Sequence, residues 1–302
     1  VPGTALARVP LGVQVIRYIG VSVMPYSAEI SRDNRTAFLF VIDQSGSMDE
    51  RPEGGRMKSE FVADVLNKTL YTLVTNCSKA DGIRNYFDVG VIGYSGGGVA
   101  NGLGGALAAG ALHPIATVAD APLRVEERTR SVDDGAGGVV EQKTKFPVWF
   151  EPRNEGGTPM RAALTRAAEM MAEWCDAHPN SYPPTILHVT DGEATDGNPE
   201  DVAEALHQLH TADGQALLFN LHVTANGGHE AIFPAGGDGL ADEYAQMLFR
   251  MSSPLPPHLI KPAGEKGYSI SSGARGFIFN ADPKLIVDFF DIGTRPRLMA
   301  DR

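Results

Sequence analysis

Three short segments, far apart in the chain, place hydroxyls and carboxylates where an apolar run ends or a helix starts. They are Asp43-Gln44-Ser45-Gly46-Ser47, Gly156-Gly157-Thr158-Pro159 and Thr190-Asp191-Gly192-Glu193. All of these donors are hard oxygens, the kind that suits Mg²⁺, Mn²⁺ or Ca²⁺. Ser45 and Ser47 stand two apart in a tight loop opened by Gly46, so both hydroxyls can face one point. Mg²⁺ keeps several waters and takes one or two carboxylates plus an exchangeable ligand. Asp43, Ser45, Ser47, Thr158 and Asp191 are therefore the candidate metal ligands, with a coordination position left for a carboxylate from outside the chain.

Positioning such a site needs a rigid frame, and the apolar pattern supplies one. Thr36–Asp43 (TAFLFVID), Tyr86–Ser95, Thr185–Thr190 and Ala216–Thr224 are near-continuous apolar runs, as in strands buried on both faces. Between them, Arg56–Cys77 carries Val62, Leu66, Leu70, Leu73 and Cys77 at helical spacing. A helix opening at Pro159 carries Met160, Leu164, Ala167, Met171 and Trp174 on one stripe. Further helices are expected over Pro199–His210, Leu240–Ser252 and Pro283–Asp291, with a short strand at Gly276–Asn280. Alternating strands and helices predict an α/β fold: a doubly wound, Rossmann-like, mostly parallel sheet with helices on both faces. Residues 96–143 break the pattern and read as a Gly-rich insertion with β-hairpin character, its turn near Asp133-Asp134-Gly135 and Gly137-Gly138. The division expected is an N-terminal extension, 1–35, followed by one domain, 36–302. Asp43 and Asp191 both fall at carboxyl ends of expected strands, where such sheets bind ligands.

Asp-x-Ser-x-Ser after the first core strand, a separate Thr, and a later Thr-Asp-Gly resemble the metal-ion-dependent adhesion site of von Willebrand factor type A (VWA) domains. The resemblance spans roughly residues 36 to 293 apart from 96–143, and ligand positions, order and strand context all match. It implies that Ser45 and Ser47 bind the ion directly and that Thr158 does so directly or through water. Asp43 and Asp191 would act mainly through water, and an acidic side chain of a partner protein would complete the metal. Ser45–Met48 (Ser-Gly-Ser-Met) and Gly156–Met160 are similar to the intracellular bacterial type. Tellurium-resistance-associated proteins and partners of MoxR-type ATPases carry similar wording. The resemblance thus implies a metal-dependent protein-binding module rather than an enzyme, with an adaptor for a MoxR-type ATPase or a kinase/phosphatase system as a variant of that reading.

Competing motifs are weaker. Gly93-Tyr94-Ser95-Gly96-Gly97 matches the Gly-x-Ser-x-Gly of serine hydrolases, and Asp191 or Asp238 with His258 supplies the required order. That elbow needs a helix directly after the serine, which Gly96-Gly97-Gly98 opposes. Glu193 and Asp196 read as outer-loop acids or helix-start charges. His207 and His210 read as a solvated helix face, Pro254-Leu255-Pro256-Pro257 as a chain reversal, and Ala263–Gly267 as a loop. No phosphate-binding Gly-x-x-x-x-Gly-Lys-Ser/Thr is present.

Composition bounds the rest. A chain of 302 residues with 43% hydrophobic content can bury a substantial core. A net charge of -11 argues against nucleic acid or an anionic membrane as partner and is compatible with cation binding. Cys77 and Cys175, each inside an expected helix, read as buried thiols of a reduced, cytoplasmic protein. The apolar stretch Val9–Met24 is interrupted by Arg17 and Tyr18, is too short to span a bilayer and lacks signal-peptide features. The sequence opens on Val1 rather than Met, which leaves room for residues upstream.

Overall fold

The computed structural model describes residues 25–51, 55–133, 139–224, 229–240 and 243–295. β1 (Thr36–Asp43) leads through a 3-10 turn (Gly46–Asp49) to α1 (Lys58–Cys77). A small ribbon, β2 (Ser78–Lys79) and β3 (Gly82–Ile83), returns the chain to β4 (Phe87–Ser95). Then come β5 (Gly98–Asn101), β6 (His113–Pro114), α2 (Ile115–Asp120) and a long hairpin, β7 (Arg124–Asp133) with β8 (Val139–Val148). α3 (Met160–Ala177), β9 (Thr185–Thr190) and α4 (Glu200–Gln208) follow. A second ribbon, β10 (His210–Thr211) and β11 (Gly214–Gln215), precedes β12 (Leu217–Val223) and β13 (Ala231–Ile232). The chain closes with α5 (Glu243–Met251), α6 (Pro257–Glu265), β14 (Phe277–Ala281) and α7 (Pro283–Gly293).

The central sheet has the order β13-β14-β12-β9-β1-β4-β5, with β6 also on β4. β14, β12, β9, β1 and β4 run parallel; β5, β6 and β13 are antiparallel edges. From β1 the chain moves one way to β4, then returns to lay β9 on the other side of β1. Strand order therefore reverses between β1 and β9, and the carboxyl ends at such a reversal are the place where open parallel sheets hold ligands.

Every residue of β1 is buried, which is why its sequence is a continuous apolar run. Phe38, Phe40 and Ile42 join Leu66, Leu70, Phe289 and Phe290, the layer of α1 and α7. Ala37, Leu39 and Val41 join Ala163, Leu164 and Ala203, the layer of α3 and α4. The doubly wound, mostly parallel α/β sheet expected from sequence is thus the observed fold.

Particular elements differ. Residues 96–143 are not separate from the sheet: β5 and β6 both pair with β4. The hairpin is real but longer than expected, since Thr144–Val148 belongs to its second strand; the expected turn residues 134–138 lie outside the described residues. Pro254-Leu255-Pro256-Pro257 reads from sequence as a reversal and Ala263–Gly267 as a loop, yet Pro257–Glu265 is helical, with Pro257 in the first turn, where its missing N–H costs nothing. α4 stops at Gln208, and His210 starts β10, so His207 and His210 do not share a helix. Within the expected N-terminal extension, Ile30 is buried in the core, and Asp213 accepts hydrogen bonds from the Ser27 and Ala28 amides (2.9 and 3.0 Å). Among the described residues no helix is long and apolar enough to cross a membrane.

Candidate metal centre

The three segments meet at the reversal. Asp43 ends β1, and Thr190 ends β9 with Asp191 directly after it. Asp43 is fully buried. Its carboxylate accepts from the Ser45 amide (2.9 Å) and from the Thr190 hydroxyl (2.9 Å), so the first loop is tied to the third. The Ser45 and Ser47 hydroxyls lie 3.1 Å apart, as their spacing implied, and Ser47 Oγ donates to Asp191 Oδ1 (2.7 Å). Ser45, Ser47 and Asp191 thus form one connected chain of oxygens, to which Asp43 is tied through the Ser45 amide.

Thr158 arrives by backbone stitching. The Gly46 amide donates to the Gly156 carbonyl (2.8 Å), and the Glu155 amide to the Gln44 carbonyl (2.8 Å). The Thr158 amide donates to Thr195 Oγ1 (3.0 Å), and the Thr195 amide returns to the Thr158 carbonyl (2.9 Å). Thr158 is therefore buried between the first and third loops. Asp196 accepts from the Arg161 and Ala162 amides (3.0 and 2.8 Å), which fits its expected role as a helix-start charge: those amides open α3 and lack intrahelical partners. Close approach of the loops requires glycine at two places. A Cβ on Gly96 would fall 2.7 Å from Gly156 Cα, and Gly156 itself has φ +63°, the left-handed region.

Burial pushes the Asp43 carboxyl up to about 6 from its ordinary 3.8; hydrogen bonds from Ser45 and Thr190 oppose this, and the nearby Asp191 charge adds to it. A carboxylate whose charge is disfavoured by burial and by a second carboxylate nearby, lined by hydroxyls, is part of a donor set that a hard divalent cation fits. Among the described residues no cluster of three or more His, Cys, Asp or Glu has metal-binding spacing, so a cation here would rest on two carboxylates plus hydroxyls and water.

Sequence reading missed three participants. Thr190 sits within a singled-out segment but was given no role; its hydroxyl bridges to Asp43. Tyr244, on α5, donates to the Gly192 carbonyl (2.5 Å), so a late helix touches the third loop. Lys58, the first residue of α1, had no signal beyond an ordinary helix charge. Its ammonium is 2.8 Å from Glu50 Oε2 and 2.5 Å from Asp191 Oδ2, with both the Lys58 and Asp191 side chains buried. Asp191 Oδ2 accepts no hydrogen bond among the described residues, so its attraction to the ammonium is that of the two charges.

The hydrolase residues do not assemble. Ser95 turns directly into the antiparallel β5, with no helix after it. His258 lines a cavity with Thr36 and Thr185, the first residues of β1 and β9, at the opposite end of the sheet from Ser95. Asp238 is exposed on a loop. The two thiols are buried and free, and burial raises Cys77 to about 12 and Cys175 to about 11, so neither is primed as a nucleophile.

No family model matches the chain, and no curated protein sequence does. Among solved structures, the chain is similar to manganese-loaded Plasmodium vivax TRAP protein at 14% identity and a TM-score of 0.32, over 63% of this chain and 57% of that one. It is similar to the PilB minor pilin of Streptococcus sanguinis at 10% identity and a TM-score of 0.41, over 85% of this chain and 60% of that one. The chain thus spans less than two thirds of either neighbour's length.

Proposed function

We propose that this chain is a VWA-type protein-binding module that captures an acidic side chain of a partner protein on a bound divalent cation, Mg²⁺ or Mn²⁺. Ser45, Ser47 and Thr158 would hold the ion with Asp43 and Asp191, and the ion would supply an electrophilic point for the partner's carboxylate. The observation that carries this reading is Asp43: a fully buried carboxylate held up near 6, bonded only to neutral donors, facing a second aspartate across two serine hydroxyls. Burying such a charge is costly unless a cation offsets it. The loop-terminal placement of Asp43 and Asp191 at the strand reversal, and the motif order, support the same reading.

In this reading the chain works by docking rather than by catalysis, as an accessory component of a bacterial multi-protein system; a MoxR-type ATPase or kinase/phosphatase partner is the variant that the loop wording favours. A ligand that binds only the folded state stabilises it by mass action, by about 2.7 kcal/mol at a hundredfold excess over Kd. Mg²⁺ or Mn²⁺ should therefore raise the melting temperature of the wild type. Asp43→Ala should remove that increment and remain folded. An equal increment in the variant overturns the assignment.

A further inference from the structure

We infer that Lys58 is a built-in counter-cation of the candidate metal centre, one that holds the metal-free site together and competes with the divalent ion for Asp191. The inference rests on the metal reading above and deepens it. Lys58 opens α1, and its side chain is only 3% exposed, while the Asp191 side chain is fully buried. A lysine at a helix start ordinarily extends into water, so burial of this one needs a compensating charge. Asp191 provides it at 2.5 Å, and half-exposed Glu50 provides a second carboxylate at 2.8 Å. The helix end is fixed in register for this contact. The Lys58 amide donates to the Glu50 carbonyl (3.0 Å), and the Glu60 carboxylate accepts from the Met57 amide (3.0 Å).

The two oxygens of Asp191 are thereby divided. Oδ1 accepts from Ser47, inside the candidate ligand chain; Oδ2 faces the ammonium. A divalent ion that engages Asp191 meets a carboxylate whose charge is already offset by Lys58, and it meets the repulsion of the ammonium itself. Formal charges state the effect. Asp43, Asp191, Glu50 and Lys58 sum to -2, against -3 without the lysine. Lys58 therefore weakens metal binding while stabilising the empty site, which moves occupancy to higher metal concentration. It also leaves the loaded centre formally neutral rather than at -1, so that an incoming carboxylate meets no net repulsion.

The test is Mn²⁺ titration followed by electron paramagnetic resonance, with urea unfolding in EDTA run in parallel. The proteins are wild type, Lys58→Met, Lys58→Gln and Lys58→Arg. Lys58→Met and Lys58→Gln should bind Mn²⁺ at least tenfold more tightly than wild type, yet be less stable in EDTA. Lys58→Arg, which keeps the charge, should stay within about threefold of wild type for Mn²⁺, as a point-charge role requires. A merely structural lysine would move stability and leave Mn²⁺ affinity unchanged or weaker; that outcome overturns the inference. Lys58→Gln keeps a polar but uncharged side chain at this buried position, so it keeps the comparison open if Met there fails to fold. If wild type and every variant bind no Mn²⁺, the metal reading itself fails; if wild type binds and the neutral variants bind no better, only the role of Lys58 fails.

Discussion

Acidification should reveal two buried groups near the candidate centre that pull stability in opposite directions. His188 lies in β9, fully buried, with Nε2 2.8 Å from the Tyr94 hydroxyl and Nδ1 2.8 Å from Asn220 Oδ1. Burial holds its pKa down at about 4, from an ordinary 6.5, with the Asn220 bond opposing. A histidine with a depressed folded pKa contributes stability that is present above 6.5 and lost as pH falls through 6.5 toward 4, because the unfolded chain takes a proton the folded chain refuses. From pH 7 to pH 5 that linkage costs about 2 kcal/mol. Asp43 works the other way. Its folded pKa, about 6 against 3.8, is raised, so its penalty is largest at neutral pH and is relieved as pH falls through 6 toward 3.8. Over the same interval the relief is about 1 kcal/mol. In wild type the two contributions largely cancel. His188→Gln removes one of them while keeping a side chain that can donate and accept. The assay is urea unfolding in EDTA at pH 7, 6 and 5, with each protein compared to its own value at pH 7. Relative to wild type, the variant should retain about 2 kcal/mol more on going to pH 5, although its stability at pH 7 is lower. Parallel pH profiles for the two proteins would show that His188 is not held neutral by burial, and the reasoning would be wrong.

Two more outcomes follow from the loops. Gly96→Ala places a Cβ against the backbone of Gly156 and Gly157. It should destabilise the protein by roughly 1–3 kcal/mol, as overpacking does, and weaken Mn²⁺ binding by displacing the loop that carries Thr158; unfolding and Mn²⁺ titration of the variant check both. Thr158→Ala should weaken capture of an acidic partner more than it weakens metal binding. Ser45, Ser47 and the two aspartates remain to hold the ion, while the state that accepts an outside carboxylate is lost. Calorimetry with Mg²⁺ alongside partner pull-down reads the two effects separately, and equal partner capture by both proteins contradicts the role given to Thr158.

The frame was legible where burial is complete. β1 and β9 are buried along their whole length and match the apolar runs residue for residue. The stripes of α1 and α3 were readable because Leu66 and Leu70, or Leu164 and Met171, recur at helical spacing against the sheet. α6 was not legible, because Pro256, Pro257 and Pro262 punctuate it and local signals of that kind favour a turn. β5 and β6 were hidden for another reason: they are short, glycine-rich or exposed edge strands whose pairing to β4 depends on tertiary register. In the centre, the oxygen donors announced themselves by type and order. Lys58 could not, since the partner of a charge is a fact of the folded chain: its nearest acid in sequence, Glu60, bonds the Met57 amide, whereas Asp191 lies far along the chain.

The central claim is that Asp43, Ser45, Ser47, Thr158 and Asp191 hold one divalent cation. Mn²⁺ titration of the metal-free protein, with free ion counted by electron paramagnetic resonance, tests it most directly. The account predicts saturable binding at one site per chain in the wild type, displaced by Mg²⁺, and loss of that site in Asp43→Ala and in Ser45→Ala while both variants stay folded. A wild type that binds no more Mn²⁺ than Asp43→Ala does would contradict it.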